Sequence, residues 1–421
     1  MSGVPFYVQN DFLPAQVRVR PAVAAHNGPL VWLMGLYIFF FPVQFPAGSV
    51  NIAPSDLFLA LGVILCLFRL RFVPAVWSLA HAGLMLVFLA AAGVSVYLHG
   101  TMSSYVAIKI VGLLTLFASY FCLTTAARTW REIRQFMRIF IVAVSLHCLI
   151  SVVALKAGYS AAWLNYGSVR VSGMYLDPNA FGGLVLVALL MQVGSYLGGR
   201  TAVPGLFGAA VTIALGAGLF FTLSRSAWIG FTFGFILVSF LRSRLWVISA
   251  VLALAITGGT YLWVQSHLSA KNEELIARQD TAMERVEQIR QAIPMFVSHP
   301  IRGVGLGEFD LRSDPAGYHP LIIHNTTVWI LTELGLIGFT IYVAFVGWFF
   351  WRGKSALKQA DSQAKPLVVG LLGAHAGMLG LSTGIEVLYQ RHWWLVMAML
   401  ACAAVAAARD LAFRREFQYE D

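Results

Sequence analysis

The stretch "PLIIHNTTVWILTELGLIGF", Pro320 to Phe339, opens as a loop and closes as an apolar helix, with His324 at the join. Beyond Asn325 the apolar run continues to about Phe350 with Glu333 as its one carboxylate, enough to cross a hydrocarbon layer that takes about 20 helical residues. Runs of this kind recur along the chain. Composition agrees: of 421 residues, 59% are hydrophobic and only 11% charged, where a globular domain carries about a quarter. Most of the surface must therefore face lipid or other apolar helices.

The sequence predicts an all-α, polytopic membrane protein with twelve spans, near 28–46, 53–70, 74–98, 104–124, 137–158, 179–198, 202–222, 226–243, 245–264, 325–350, 366–384 and 391–408. The chain then divides into an N-terminal tail (1–27), spans one to nine (28–264), a loop domain (265–324), spans ten to twelve (325–408) and a C-terminal tail (409–421). The first residues carry Asp11, Arg18 and Arg20 without the short apolar core of a signal peptide, so a cytoplasmic tail is expected. Cys66, Cys122, Cys148 and Cys402 all fall inside spans and read as small packing residues. The net charge of +10 is dispersed among connections and forms no continuous basic stripe, which argues against nucleic acid and leaves membrane lipids as the partner.

With the N-terminus cytoplasmic, 18 of the 29 basic residues fall on inner connections and tails, as the positive-inside rule requires. Basic residues on the outer side then need a separate reason: Arg170, Arg225 and Arg391, and Arg278, Arg285, Arg290, Arg302 and Arg312 in the long segment from Gln265 to His324. A segment of that length is expected to have its own fold. Within it, Leu275, Ile276, Met283, Val286, Ile289 and Ile293 recur near helical spacing among charges, predicting an amphipathic helix that Pro294 ends or kinks. Gly303, Gly305 and Gly307 follow with no strand before them, so a flexible turn is read there in preference to a dinucleotide fingerprint.

In "LFFTLSRSAWIGF", Arg225 lies between Ser224 and Ser226 at the outer junction of spans seven and eight. Two readings fit it: an arginine snorkelling to the interface, or an anion clamp whose planar guanidinium takes phosphate oxygens in pairs, with help from the flanking hydroxyls. Arg170 in "NYGSVRVSGMYLDPNAFGG" is either a solvated loop residue or a second contact to the same diphosphate, and Asp177 and Asn179 are candidate helix caps. Asn325 caps the helix after His324, and that histidine is either a surface residue or a general acid/base, since its ordinary pKa suits proton transfer near neutrality. Glu333 lies nearly opposite His324 on the helix and is expected to bond another span instead. Among other ionisable residues at membrane depth, Lys109 and Lys156 either line a hydrated outer cavity or snorkel. No outer DxD or HxxH pair suggests a metal site, and no cofactor is called for.

"TLSRSAWIG", "RVEQIRQAIPMFVSHPIRGVGLGEF" and "HNTTVWILTELGLIGF", in that order and with "SGMYLDPNAFGG" upstream, resemble the O-antigen ligase and Wzy-type polymerase superfamily. The resemblance covers about two fifths of the chain. It implies a GT-C-like membrane fold with one large periplasmic helical loop. It also implies a metal-independent transferase that takes a glycan from undecaprenyl diphosphate at the periplasmic side of a bacterial inner membrane. The acceptor would be a sugar hydroxyl of the lipid A core in a ligase, the preferred reading, or the end sugar of another carrier-linked repeat in a polymerase. The family's roles, carried over, make His324 the catalytic histidine, Arg170 and Arg225 diphosphate contacts, and Arg285 the long-loop arginine. Arg290 lies close to Arg285, and the aromatic usual between such arginines is absent. A twelve-helix secondary transporter is the alternative from another class, against which the chain offers no internal repeat.

Overall fold

The structure is a computed structural model. It describes residues 28–242 apart from 48–49, 70–75, 101, 160–163, 167–169, 176 and 200, scattered positions between 248 and 259, and 273–418 apart from 314–322. Among the described residues, thirteen α-helices dominate it. In chain order they are α1 (Gly28–Phe39), α2 (Pro54–Arg69), α3 (Leu79–His99), α4 (Ser104–Ala126), α5 (Trp130–Lys156), α6 (Pro178–Leu197), α7 (Gly205–Thr222) and α8 (Arg225–Arg242). These are followed by α9 (Glu273–Ser298), α10 (Glu308–Ser313), α11 (Thr326–Gln359), α12 (Lys365–Leu381) and α13 (Arg391–Gln418). Two short hairpins, β1 (Phe45–Ala47) with β2 (Val50–Ile52) and β3 (Asn165–Tyr166) with β4 (Arg170–Val171), pair antiparallel between helices. Eleven of the twelve expected spans coincide with helices, while the ninth, 245–264, lies largely outside the described residues. Seven of the helices are long and apolar enough to cross a membrane, and α1, α2 and α12 are shorter apolar helices.

Local signals place the helix starts. Ser103 accepts from Val106 N at 3.2 Å to begin α4. Thr129 and Glu132 cap α5 reciprocally, with Glu132 Oε2 taking the Thr129 N–H at 2.8 Å. Asp177 accepts from Asn179 N at 2.8 Å ahead of Pro178, which suits the first turn of α6 because it has no N–H to leave unpaired. Such caps are worth about 1 kcal/mol each. They set where a helix starts, not which way it faces.

Facing is set by small residues. Over an apolar stretch of 18 residues, α6 is 83% buried, against 33% for α3 and α7, so α6 is an inner helix and the others border lipid. It lies against α8 and α12, and glycines bring the backbones together: a Cβ added at Gly194 would sit 2.6 Å from Gly370 Cα, and one at Gly230 would sit 2.6 Å from Gly377 O. In lipid, apolar side chains gain little by leaving their surroundings for one another, so close backbone packing of this kind is what holds the helices together.

Side-chain bonds gather the helix ends into two groups. At one end, Trp130 Nε1 donates to Asp410 at 2.9 Å, Arg138 Nε to Ala202 O at 2.6 Å, and Arg242 Nη2 to Gly198 O at 2.8 Å. At the opposite end, Arg391 pairs with Asp56 at 2.6 Å and bonds Ser55 Oγ at 2.6 Å, and Lys109 pairs with Glu386 at 2.6 Å. Arg391, expected outside, thus lies at the other end of the bundle from Arg138 and Arg242.

The run read as one span from Asn325 is broken. At Gly335 the backbone turns to φ 65°, ψ −167°, a region open in practice to glycine alone. Residues 300–305 fill the break like an edge strand: Val304 N and Gly305 N donate to Thr332 O and Glu333 O at 3.0 and 3.1 Å, and Leu336 N and Ile337 N donate to Pro300 O and Ile301 O at 2.8 and 3.1 Å. Non-helical backbone within a membrane protein persists only where its polar groups are paired in this way. The glycine-rich segment is therefore a fitted plug and not a flexible turn. The plug also reaches α3, where Leu306 N donates to Ala91 O at 3.1 Å and the buried Glu308 carboxylate takes Ser95 Oγ, His99 Nε2 and Arg312 Nε at 2.9, 2.8 and 3.1 Å. Pro294 does not end α9, which runs on to Ser298.

Candidate active site

Four helix ends meet where the sequence concentrates its outer arginines: the starts of α6, α8 and α11 and the end of α12. Arg170, on β4, donates from Nε to Thr222 O at 2.9 Å and from Nη2 to Asn179 Oδ1 at 3.3 Å. The same Oδ1 takes the Ser224 hydroxyl at 2.9 Å. Two donors converging on it identify the oxygen of the Asn179 amide. Because Ser224 spends its one hydroxyl hydrogen there, the 3.2 Å contact between Ser224 and Ser226 has Ser226 donating. Ser224 Oγ also accepts from Ala227 N at 3.3 Å, which caps α8. Both serines are buried and engaged with protein, so they hold the start of α8 instead of lending hydroxyls to an anion. Leu223 makes the turn before them at φ 50°, and Arg225, next in line, is left exposed.

The outer helix α9 completes the arrangement. Arg285 lies 3.6 Å through Nη1 from where a Cβ at Gly384 would be, which places its guanidinium at the α8–α12 junction; that same Cβ would sit only 2.7 Å from Ser226 Cβ, so it is α8 that packs close because residue 384 has no side chain. One turn further along α9, Gln288 Oε1 accepts the backbone N–H of His324 at 3.2 Å. Asn325 caps α11 by accepting from Val328 N at 3.1 Å and donates from Nδ2 to Thr383 O at 3.2 Å. Thr326 continues the link, with N donating to Ser382 O at 3.0 Å and Oγ1 to Ile385 O at 3.0 Å. The histidine's segment is thereby fastened on one side to α9 and on the other to the connection after α12.

Charge couples these residues. Partial burial and the Arg225 charge both lower the pKa of Arg285, while Asp177 opposes them. His324 is solvent-accessible yet crowded by protein, and its pKa is lowered first by desolvation and then by Arg285. Its imidazole is accordingly neutral near pH 7. Among the described residues neither Arg225 nor Arg285 makes an ion pair. Two guanidinium groups repelling each other beside a neutral imidazole form a place suited to a multivalent anion.

Arg170, Arg225, Arg285, Ser224, Ser226, Asn325 and His324 are therefore brought together. Arg290 is not: it points outward, 84% exposed, 4.0 Å from Glu287. Glu333, expected to bond another span, accepts from Trp329 Nε1 on its own helix at 2.8 Å and from the Gly307 backbone of the plug. Lys109 is paired with Glu386 among the rings of Trp329 and Tyr389, at 4.9 and 4.5 Å, and Lys156 lies 4.6 Å over Phe221. The side chain of Arg278 lies outside the described residues. Sequence reasoning missed Asn179 as the bridge between Arg170 and α8, Gln288 as the acceptor for His324, and Gly384. Among the described residues, no three His, Cys, Asp or Glu side chains gather closely enough to hold a metal ion.

Fold and site together define a multi-pass helical membrane protein with a cluster of arginines and one histidine at one end of the bundle. Residues 210–343, about a third of the chain, match the protein-family model described as O-antigen ligase, and Arg225, Arg285 and His324 lie inside the matched segment. No curated protein matches the chain.

Proposed function

We propose that the protein transfers a glycan from undecaprenyl diphosphate to a sugar hydroxyl at the periplasmic face of a bacterial inner membrane, without a metal ion, and that its acceptor is the lipid A core. The observation that carries the reading is the placement of Arg225 and Arg285, both without ion-pair partners among the described residues, beside His324. The His324 imidazole takes the proton of the acceptor hydroxyl as its oxygen bonds to the anomeric carbon. The bond from that carbon to the diphosphate breaks, and the lipid diphosphate leaves with the electron pair, its charge met by Arg225 and Arg285 and, from β4, Arg170. No nucleotide is needed, because the donor carries its own leaving group. The outer helix α9 covers the pocket and limits attack by water.

Deleting the gene and resolving the cell envelope on a gel tests the reading. Loss of all glycan from the lipid A core, restored by the wild-type gene and not by His324→Ala, is the expected outcome. Single repeats remaining on the core would assign polymerisation instead. Unchanged lipopolysaccharide with a missing secreted polymer would move the activity to exopolysaccharide synthesis.

A further inference from the structure

Gln288 is the one polar side chain on the described face of α9 that is fully withdrawn from solvent, 3% exposed where Met283 and Val286 of the same helix are 71% and 67% exposed. A neutral amide gains nothing from burial unless it is bonded. Its bond is to His324: Oε1 accepts the backbone N–H at 3.2 Å, and since a backbone N–H can only donate, the oxygen end of the carboxamide faces the histidine's segment. Arg285 lies three residues earlier, on nearly the same helical face. One strip of α9 therefore delivers a cation to the α8–α12 junction and an acceptor to the residue that precedes the cap of α11.

We infer that Gln288 is a positioning residue, which fixes the separation of the His324 imidazole from Arg285 by holding the His324 backbone to α9. The inference deepens the transfer function proposed above and rests on it only where turnover is measured. Without this bond, nothing among the described side chains ties residue 324 itself to the outer helix, since Asn325 and Thr326 bond to the connection after α12. The charged groups facing the imidazole are Arg285 and Glu284 on α9, Asp177 before α6 and Glu386 after α12. Its titration therefore reports how closely α9 is docked.

The test uses the purified full-length protein in lipid nanodiscs and follows carbethoxylation of His324 by diethyl pyrocarbonate against pH, read by peptide mass spectrometry. In the wild type the midpoint falls below the ordinary histidine value of about 6.5. Gln288→Leu removes the acceptor, so the midpoint returns toward that value, labelling speeds up, and glycan transfer falls about 10-fold to 100-fold through misplacement of the base. Gln288→Glu keeps an acceptor oxygen in place and adds a carboxylate, so the midpoint rises above wild type while most transfer is retained. Identical midpoints and labelling rates in wild type and Gln288→Leu would overturn the inference, as would a Gln288→Glu variant with no upward shift. Labelling that moves as expected in a protein that transfers no glycan would support the positioning role and count against the transfer reading instead.

Discussion

At the scale of single residues, the pocket joins groups whose chemistry is visible in the sequence to groups whose role is not. An arginine or histidine stands out against apolar surroundings because it is costly there without a purpose, and on that ground Arg225, Arg285 and His324 were legible. Asn179, Gln288 and Gly384 were not, because a neutral amide or a missing side chain acquires its meaning only from what packs against it. His324→Ala is expected to lower transfer by about 10²- to 10⁴-fold with expression and monodispersity unchanged, checked by single-turnover assays on purified protein. Arg285→Ala is expected to cost on the order of 100-fold, as removal of one preorganised donor to a developing anion does, and Arg285→Lys to recover only part of that, because a point charge does not replace a paired fork. The sign of the pH dependence follows from the lowered pKa of His324. As the proposed base, His324 works in its neutral form, so activity is expected to hold as pH falls to about 6.5 and to be lost only below it. Replacing Arg285 by glutamine removes a cation that favours the neutral ring, and the acid limb of the residual rate then moves to higher pH.

At the scale of elements, hydropathy located the helices well, because a span must be long and apolar whatever its tertiary setting. It could not locate the break in α11. Leu334, Gly335 and Leu336 read as uninterrupted helix in any window, and the partner that makes the break tolerable, residues 300–305, lies some thirty positions earlier in the chain. The same blindness made the plug look like a flexible turn and left open whether Pro294 ends the helix or kinks it, where the helix runs on to Ser298. Gly335→Ala is expected to destabilise the fold by about 1–3 kcal/mol, the usual cost of forcing a side chain into such a conformation, and to hasten proteolysis near His299. Thermal unfolding in detergent and limited digestion read the two effects. An unchanged melting profile would mean that α11 straightens at little cost.

At the scale of the whole molecule, the two groups of helix ends predict which side of the membrane each end faces. The four native cysteines are buried, so single introduced cysteines can be labelled against a low background. In oriented vesicles, a membrane-impermeant maleimide is expected to reach Val297→Cys on α9 from the periplasmic side and Arg409→Cys on α13 from the cytoplasmic side. Labelling of both from one side would place the pocket and the basic end in the same compartment and sink the proposed geography. The plug has a mechanical consequence as well. Four backbone bonds to the broken helix, with Glu308 clamped on α3, pin the C-terminal end of α9. Any movement of α9 is then a swing of its other end about this anchor, as a door moves on its hinge. Such a swing would withdraw Arg285 and Gln288 together, so the cation and the tether would leave and return to His324 in one stroke.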